Sequence, residues 1–321
     1  MCCLFGILDY SNKENKELNN LINVLSREAT VRGMDATGIA YNKDTVLKVY
    51  KKPKCAYDMD FEGLENCVCI IGHTRHTTQG NEKKNYNNHP FMGFCTNIKF
   101  ALAHNGVLWN DKTLRRTYGI TPNRIETDSY IAVQLLEHFG ELNNVNISKM
   151  AELISGSFSF TICDNLDNLW LIKGDSPLTI LHIPEEKLYI YASTKQILLA
   201  AVSQTKYCEY IYNKKFEIIP ITDGDIFQID KCGVIHKSYF NYVDSVCGYD
   251  WRSYGSYYDL WDDDYVDDVD ESVVETRYKE DVIAVAQSFG ITRKEINDLL
   301  AEGFTLEEIE DWLYLDSKVV S

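Results

Sequence analysis

The sequence predicts an α+β domain, two sheets with helices on the outside, and three observations predict it. Short apolar runs rich in β-branched and aromatic residues recur from residue 1 to about 240, as strands on a pleated, half-buried surface require. Helical spacing of apolar residues appears in only a few places. Strands and helices do not alternate one for one, so layered packing is favoured over a doubly wound parallel sheet.

In chain order, the expected strands are CLFGIL (3–8), TGIAYN (37–42), TVLKVYK (45–51), VCIIGHT (68–74), FALAHNG (100–106), SFSFTIC (157–163), LWLIKG (169–174), LTILHI (178–183), LYIYAST (188–194) and DIFQID (225–230). Strand geometry across CVCII puts Cys67 and Cys69 on one face as small hydrophobes. Among the helices, ELNNLINVLSREA aligns Leu18, Leu21, Ile22 and Leu25 on one stripe. DSYIAVQLLEHFG groups Ile131, Leu135 and Leu136 and offers Gly140 as its stop. KMAELISG and KQILLAAV are shorter candidates.

Composition divides the chain into three. Residues 1–243 form the sheet-rich domain; 244–277 are an acidic, aromatic-containing linker whose clustered aspartates repel one another. Tyr254, Tyr257, Tyr258, Leu260 and Trp261 give that linker apolar points for docking onto a partner or back onto the domain. Residues 278–321 make a small three-helix module. Its second and third helices open on Thr-x-x-Glu capping boxes, Thr292 with Glu295 and Thr305 with Glu308, and Gly303 separates them.

A net charge of −16 argues against nucleic acid as a ligand, because phosphates call for clustered lysine and arginine. The N-terminus MCCLFGILDY has no basic stretch before an apolar core and cleavage site, so the ten cysteines are expected to be reduced thiols of a cytoplasmic protein. No apolar stretch approaches the roughly 20 residues that span a bilayer. A membrane partner is not expected.

Chemistry enters at Cys2. Removal of Met1 would leave a thiol and an α-amine on one residue. The thiolate is the nucleophilic form of cysteine, and an amine with a pKa of roughly 7.7 to 8.0 is the local base. Six further segments follow: RGMDATGIA, GHTRHTTQG, NNHPF, LAHNGVL, ETDSYIA and GSFSFTICDN. His-Asn-Gly alone also fits a strand-ending turn, and the aspartate of ETDSYIA fits a plain helix N-cap.

Taken together and in order, these blocks resemble the class II glutamine amidotransferases, a family of N-terminal nucleophile hydrolases. The resemblance spans about residues 2 to 240 and implies the family's four-layer αββα sandwich, in accord with the α+β reading. It implies Cys2 as the nucleophile, with the Asn105 side-chain amide and the Gly106 backbone N–H as oxyanion donors. It assigns the substrate's α-carboxylate to Arg75, its ammonium to Asp128 and a further contact to Thr78. Arg32 would help to position the terminal residue, and His76 would cover the substrate. Three positions depart from the family pattern: Cys3 stands where glycine is usual, His76 where an aromatic ring is usual, and Gln79 where histidine is frequent.

No cofactor is expected, and no metal. His73, His76, His89 and His104 are the candidates for a zinc site, but residues three apart on a strand face opposite ways, which separates His73 from His76. The expected activity is hydrolysis of the glutamine side-chain amide through a Cys2 thioester, with ammonia passed to an unidentified acceptor. A separate synthase subunit docking on the acidic linker and helices is the expected partner. Two alternatives stay open on the residues alone: a non-catalytic binding or regulatory protein on the same fold, and hydrolysis of another small amide.

Overall fold

The computed structural model describes residues 2–242, apart from 44, 97 and 122, and residues 279–315, apart from 281, 284, 285, 288 and 289. The acidic linker expected at 244–277 lies outside the described residues. Among the described residues, thirteen strands build two antiparallel sheets. The first has seven strands in the order β11 (Glu217–Ile219), β9 (Thr179–Ile183), β10 (Leu188–Ala192), β1 (Cys3–Asp9), β4 (Cys69–Arg75), β2 (Ala36–Lys43) and β3 (Val46–Lys52). The second has six, β13 (Ile235–Tyr239), β12 (Asp225–Ile229), β8 (Leu169–Lys173), β7 (Gly156–Asp164), β6 (Ile98–Leu108) and β5 (Phe91–Cys95).

Alternation along each strand builds the layers. On β1, Leu4 and Leu8 enter the core between the sheets, where they meet Cys69 and Ile71 of β4, Ala101 and Ala103 of β6, and Leu169 and Leu171 of β8. The other face of β1, with Phe5 and Ile7, packs under α1 (Glu17–Glu28) and α5 (Lys195–Ser203) through Leu21, Leu25, Leu198 and Val202. Beyond the second sheet, α3 (Tyr130–Phe139) and α4 (Asn144–Leu153) cover Leu102, Phe158 and Phe160. The result is the four-layer αββα sandwich. Two shorter helices, α2 (Asp111–Tyr118) and α6 (Cys208–Tyr212), complete this part.

Cys67 corrects one expectation. Strand β4 begins at Cys69, and Cys67 sits before it in a turn closed by its own N–H to the Leu64 carbonyl, 3.0 Å. Cys67 therefore packs in the outer core with α1 while Cys69 packs between the sheets. Gly140 does end α3, at φ 81°. The KMAELISG segment forms only the second half of α4, which starts at a cap where Asn143 accepts the Asn146 N–H.

The C-terminal residues include helical backbone at 279–280, 282–283 and 286–287, then α7 (Arg293–Ala301) and α8 (Leu306–Leu315). Both capping boxes form: the Thr292 hydroxyl accepts the Glu295 N–H while the Thr292 N–H donates to the Glu295 carboxylate, and Thr305 with Glu308 repeats the pattern. Helix α8 packs on the edge strand β3, and Val282, Ile283, Ala286, Ile296, Ile309 and Leu313 join the core cluster that lies between the sheets. Among the described residues, no helix is long and apolar enough to cross a membrane.

Candidate active site

The strand period that builds the inter-sheet core also delivers the site. Continuing the inward faces toward one end leads from Leu4 to Cys2, from Ile71 to His73 and Arg75, and from Ala103 to Asn105. The ladder of β5 on β6 stops at Phe91 and Leu102, so β6 runs on past it toward Leu108 beside β7.

Cys2 is half-buried, and its Sγ lies 3.4 Å from the backbone N of His76. Burial pushes its thiol pKa up, against the opposing pull of that N–H and of the Arg75 charge. The carbonyl of Cys2 accepts from Arg32 Nε at 2.8 Å, which fixes the backbone at the nucleophile. Arg32 stands in a tight turn that packs on the end of β4. A Cβ at Gly33 would come within 2.5 Å of the Arg75 carbonyl carbon, so only glycine allows the approach.

Asn105 is buried on β6, and its Nδ2 donates to Ser193 Oγ at 3.4 Å. Gly106 has φ 140°, and an added Cβ would lie 1.8 Å from the Ser157 carbonyl oxygen. The His-Asn-Gly run is thus no strand-ending turn; it lies inside β6, paired with Phe158, Ser159 and Phe160 of β7.

Arg75 is buried, and its guanidinium is held by the Asn88 side chain at 2.7 Å and the Gln79 carbonyl at 2.5 Å. It anchors the loop 76–80, on which His76 and Thr78 are exposed. The loop has two further tethers. The Thr77 N–H donates to Asp35 at 2.7 Å, and Gln79 Nε2 donates to the Glu126 carbonyl at 2.8 Å. The glutamine that departs from the family pattern thereby binds this loop to the segment leading into α3.

Asp128 is buried just before α3. Its carboxylate accepts the Leu108 N–H at 2.6 Å, and the N-terminus of α3 has no side-chain cap. It is therefore no plain helix cap. Its charge reaches Cys2 and Arg75 alike, raising the thiol pKa of the one and favouring the cationic form of the other.

Three buried histidines lie behind the site. The rings of His73 and His89 are 4.2 Å apart and those of His89 and His104 6.4 Å, with His73 Nε2 bonded to the His104 carbonyl at 2.9 Å. Burial lowers all three pKa values, that of His73 to about 3, so all are neutral. His76 is apart from them, beyond the end of β4. Among the described residues no group of three or more His, Cys, Asp or Glu side chains is arranged to hold a metal.

Cys3 faces away from the site. It is fully buried in the outer core beneath α1 and α5, and burial raises its thiol pKa to about 11 despite hydrogen bonds with Ser193. It does not narrow the space beside the nucleophile. Sequence reasoning passed over Asp35, Asn88, Glu126 and Ser193. Asp35, Asn88 and Glu126 lie inside the recognised blocks, where their presence was a signal, whereas Ser193 follows a strand with no pattern to mark it.

Comparison with known proteins bears on the family and the fold. A family model described as a glutamine amidotransferase domain matches residues 73–200. Glutamine–fructose-6-phosphate aminotransferase (isomerizing) of Staphylococcus aureus is 31% identical over 247 residues, which are 72% of this chain and 39% of the relative. The Staphylococcus epidermidis enzyme is 31% identical over 195 residues, 56% of this chain and 30% of that one. The chain thus spans well under half the length of these curated relatives. Among solved structures, glutamine phosphoribosylpyrophosphate amidotransferase from B. subtilis superposes with a TM-score of 0.60 at 19% identity, over 75% of this chain and 49% of that one. The αββα sandwich and the matched sequence together make this a class II glutamine amidotransferase domain of the N-terminal nucleophile type.

Proposed function

We propose that the chain hydrolyses the side-chain amide of glutamine, with Cys2 as nucleophile once Met1 is removed. What supports this reading is that Cys2, Arg75 and Asp128 lie within electrostatic reach of one another, while Ser193 ties Asn105 to the strand that follows Cys2. The Cys2 α-amine takes the thiol proton, and sulfur attacks the carboxamide carbon. Negative charge then develops on the amide oxygen, where Asn105 Nδ2–H and the Gly106 N–H donate to it. Collapse of the intermediate expels nitrogen as ammonia, carrying the proton from the amine, and leaves a glutamyl thioester. Water hydrolyses the thioester to glutamate.

Arg75 and Asp128 hold the α-carboxylate and α-ammonium, charge to charge, at a distance that sets the side chain's reach to sulfur. Thr78 and His76 close over the ligand from the loop 76–80. Ammonia passes to an acceptor bound by another protein, docked through the acidic linker and the C-terminal helices. The measurement is glutamate released from glutamine by protein whose mass shows Met1 absent. Cys2→Ala is expected to abolish it, and release undiminished by that change would refute the assignment.

A further inference from the structure

Several groups take no part in the proposed chemistry. The buried histidines are neutral and belong to the scaffold behind the site. Ser193 carries more, because its hydroxyl touches both the nucleophile strand and an oxyanion donor.

Ser193 is fully buried, one residue past β10. Its N–H donates to the Leu4 carbonyl at 2.9 Å, which extends the pairing of β10 with β1. Its Oγ accepts the Leu4 N–H at 2.9 Å and the Asn105 Nδ2–H at 3.4 Å. A hydroxyl has two acceptor positions and one proton. Both acceptor positions are taken, one by the Leu4 N–H of the nucleophile strand and one by the Asn105 amide.

We propose that Ser193, held by the Leu4 N–H, is a positioning residue that holds one Nδ2 proton of Asn105 so that the other points at the developing oxyanion. This inference rests on the glutaminase reading of the site. The amide group is planar, so fixing one N–H fixes the direction of its twin. A donor aimed beforehand costs no reorganisation when charge appears, which is where oxyanion stabilisation gains its strength.

The consequences fall on the transition state, not on ground-state binding. Removing an oxyanion donor costs about 10²–10³ in kcat, so loosening one is expected to lower kcat by about tenfold or more in Ser193→Ala. KM is expected to stay within about twofold, since uniform binding is untouched. The probe for the mechanism is the glutamine analogue with an aldehyde in place of the carboxamide. Cys2 sulfur bonds to its carbonyl carbon, the π pair moves to oxygen, and the thiol proton goes to the α-amine. That tetrahedral adduct places an oxyanion where Asn105 points, whereas bound glutamine presents only a neutral amide oxygen there.

Ser193→Ala is expected to weaken the aldehyde by the same factor as kcat while leaving KM for glutamine within about twofold. On an Asn105→Ala background the same change is expected to alter aldehyde affinity by less than about twofold, because the partner through which Ser193 acts is gone. Equal losses with and without Asn105, or kcat within about twofold of wild type in Ser193→Ala, would overturn the inference. Failure of the processed wild type to form the adduct or release glutamate would bring down the glutaminase reading and the inference together; wild-type turnover with an indifferent Ser193→Ala brings down the inference alone.

Discussion

At the scale of single residues, the nucleophile is held back and then helped. Burial raises the Cys2 thiol pKa, so little thiolate is present at neutral pH and attack depends on a base that removes the proton during reaction. An amine with a pKa of roughly 7.7 to 8.0 serves as base only when neutral, so kcat/KM is expected to rise with pH through that range. A pH profile of glutamate release measures it, and a rate already flat from pH 6 upward would contradict the scheme. Gly106 gives a second test. Both its φ of 140° and the 1.8 Å approach to the Ser157 oxygen forbid a side chain. Gly106→Ala is expected to cost about 1–3 kcal/mol of stability from the strained φ alone, with more from the clash, and to remove turnover. Thermal unfolding beside the activity assay reads both, and a variant with wild-type melting and turnover would show that β6 is not so constrained.

At the scale of elements, the loop 76–80 is held in place by Arg75, Asp35 and Gln79. Asp35→Ala removes the acceptor for the Thr77 N–H. It is expected to raise KM for glutamine several-fold, about 1 kcal/mol for one charge-assisted hydrogen bond, with kcat less affected. Steady-state kinetics decide, and an unchanged KM would mean that the other tethers suffice. Much of this architecture was legible beforehand, and the reason is periodicity. Strands such as CLFGIL and SFSFTIC bury nearly every residue and announce themselves as apolar runs. By contrast β13 is IHKSY, half exposed at a sheet edge, β11 has three residues, and α2 is DKTLRRTY with Leu114 as its one buried apolar residue. Edges and short surface helices bury too little to leave a pattern. The blocks marked the site for the same reason that Ser193 escaped notice: a motif names the residues that meet the substrate, and a serine that accepts two hydrogen bonds inside the fold has no spacing of its own.

At the scale of the whole molecule, the sandwich and the C-terminal helices share one core. Ile309 and Leu313 are buried on α8 against the edge strand β3, where exposed backbone would otherwise invite pairing with another chain. Ile309→Ala is expected to destabilise the protein by about 2–4 kcal/mol, as buried large-to-small changes do. A single unfolding transition moved to lower denaturant would show the parts to be coupled; an unmoved sandwich transition would show them independent. Acid tests the same core from the other side. His73 is held neutral in the folded state with a pKa of about 3, below its ordinary 6.5, and His89 and His104 are shifted in the same direction by burial. The unfolded chain therefore binds more protons than the folded one between those values, so stability is complete above pH 6.5 and falls as pH drops toward 3. Each histidine contributes a slope of up to about 1.4 kcal/mol per pH unit in that window. His73→Gln removes one titrating group from the unfolded chain, so its stability is expected to fall less steeply with acid than that of the wild type, whatever its stability at pH 7. Urea melts at a series of pH values compare the two slopes, and parallel lines from pH 6.5 down would show that His73 is not held neutral by its burial.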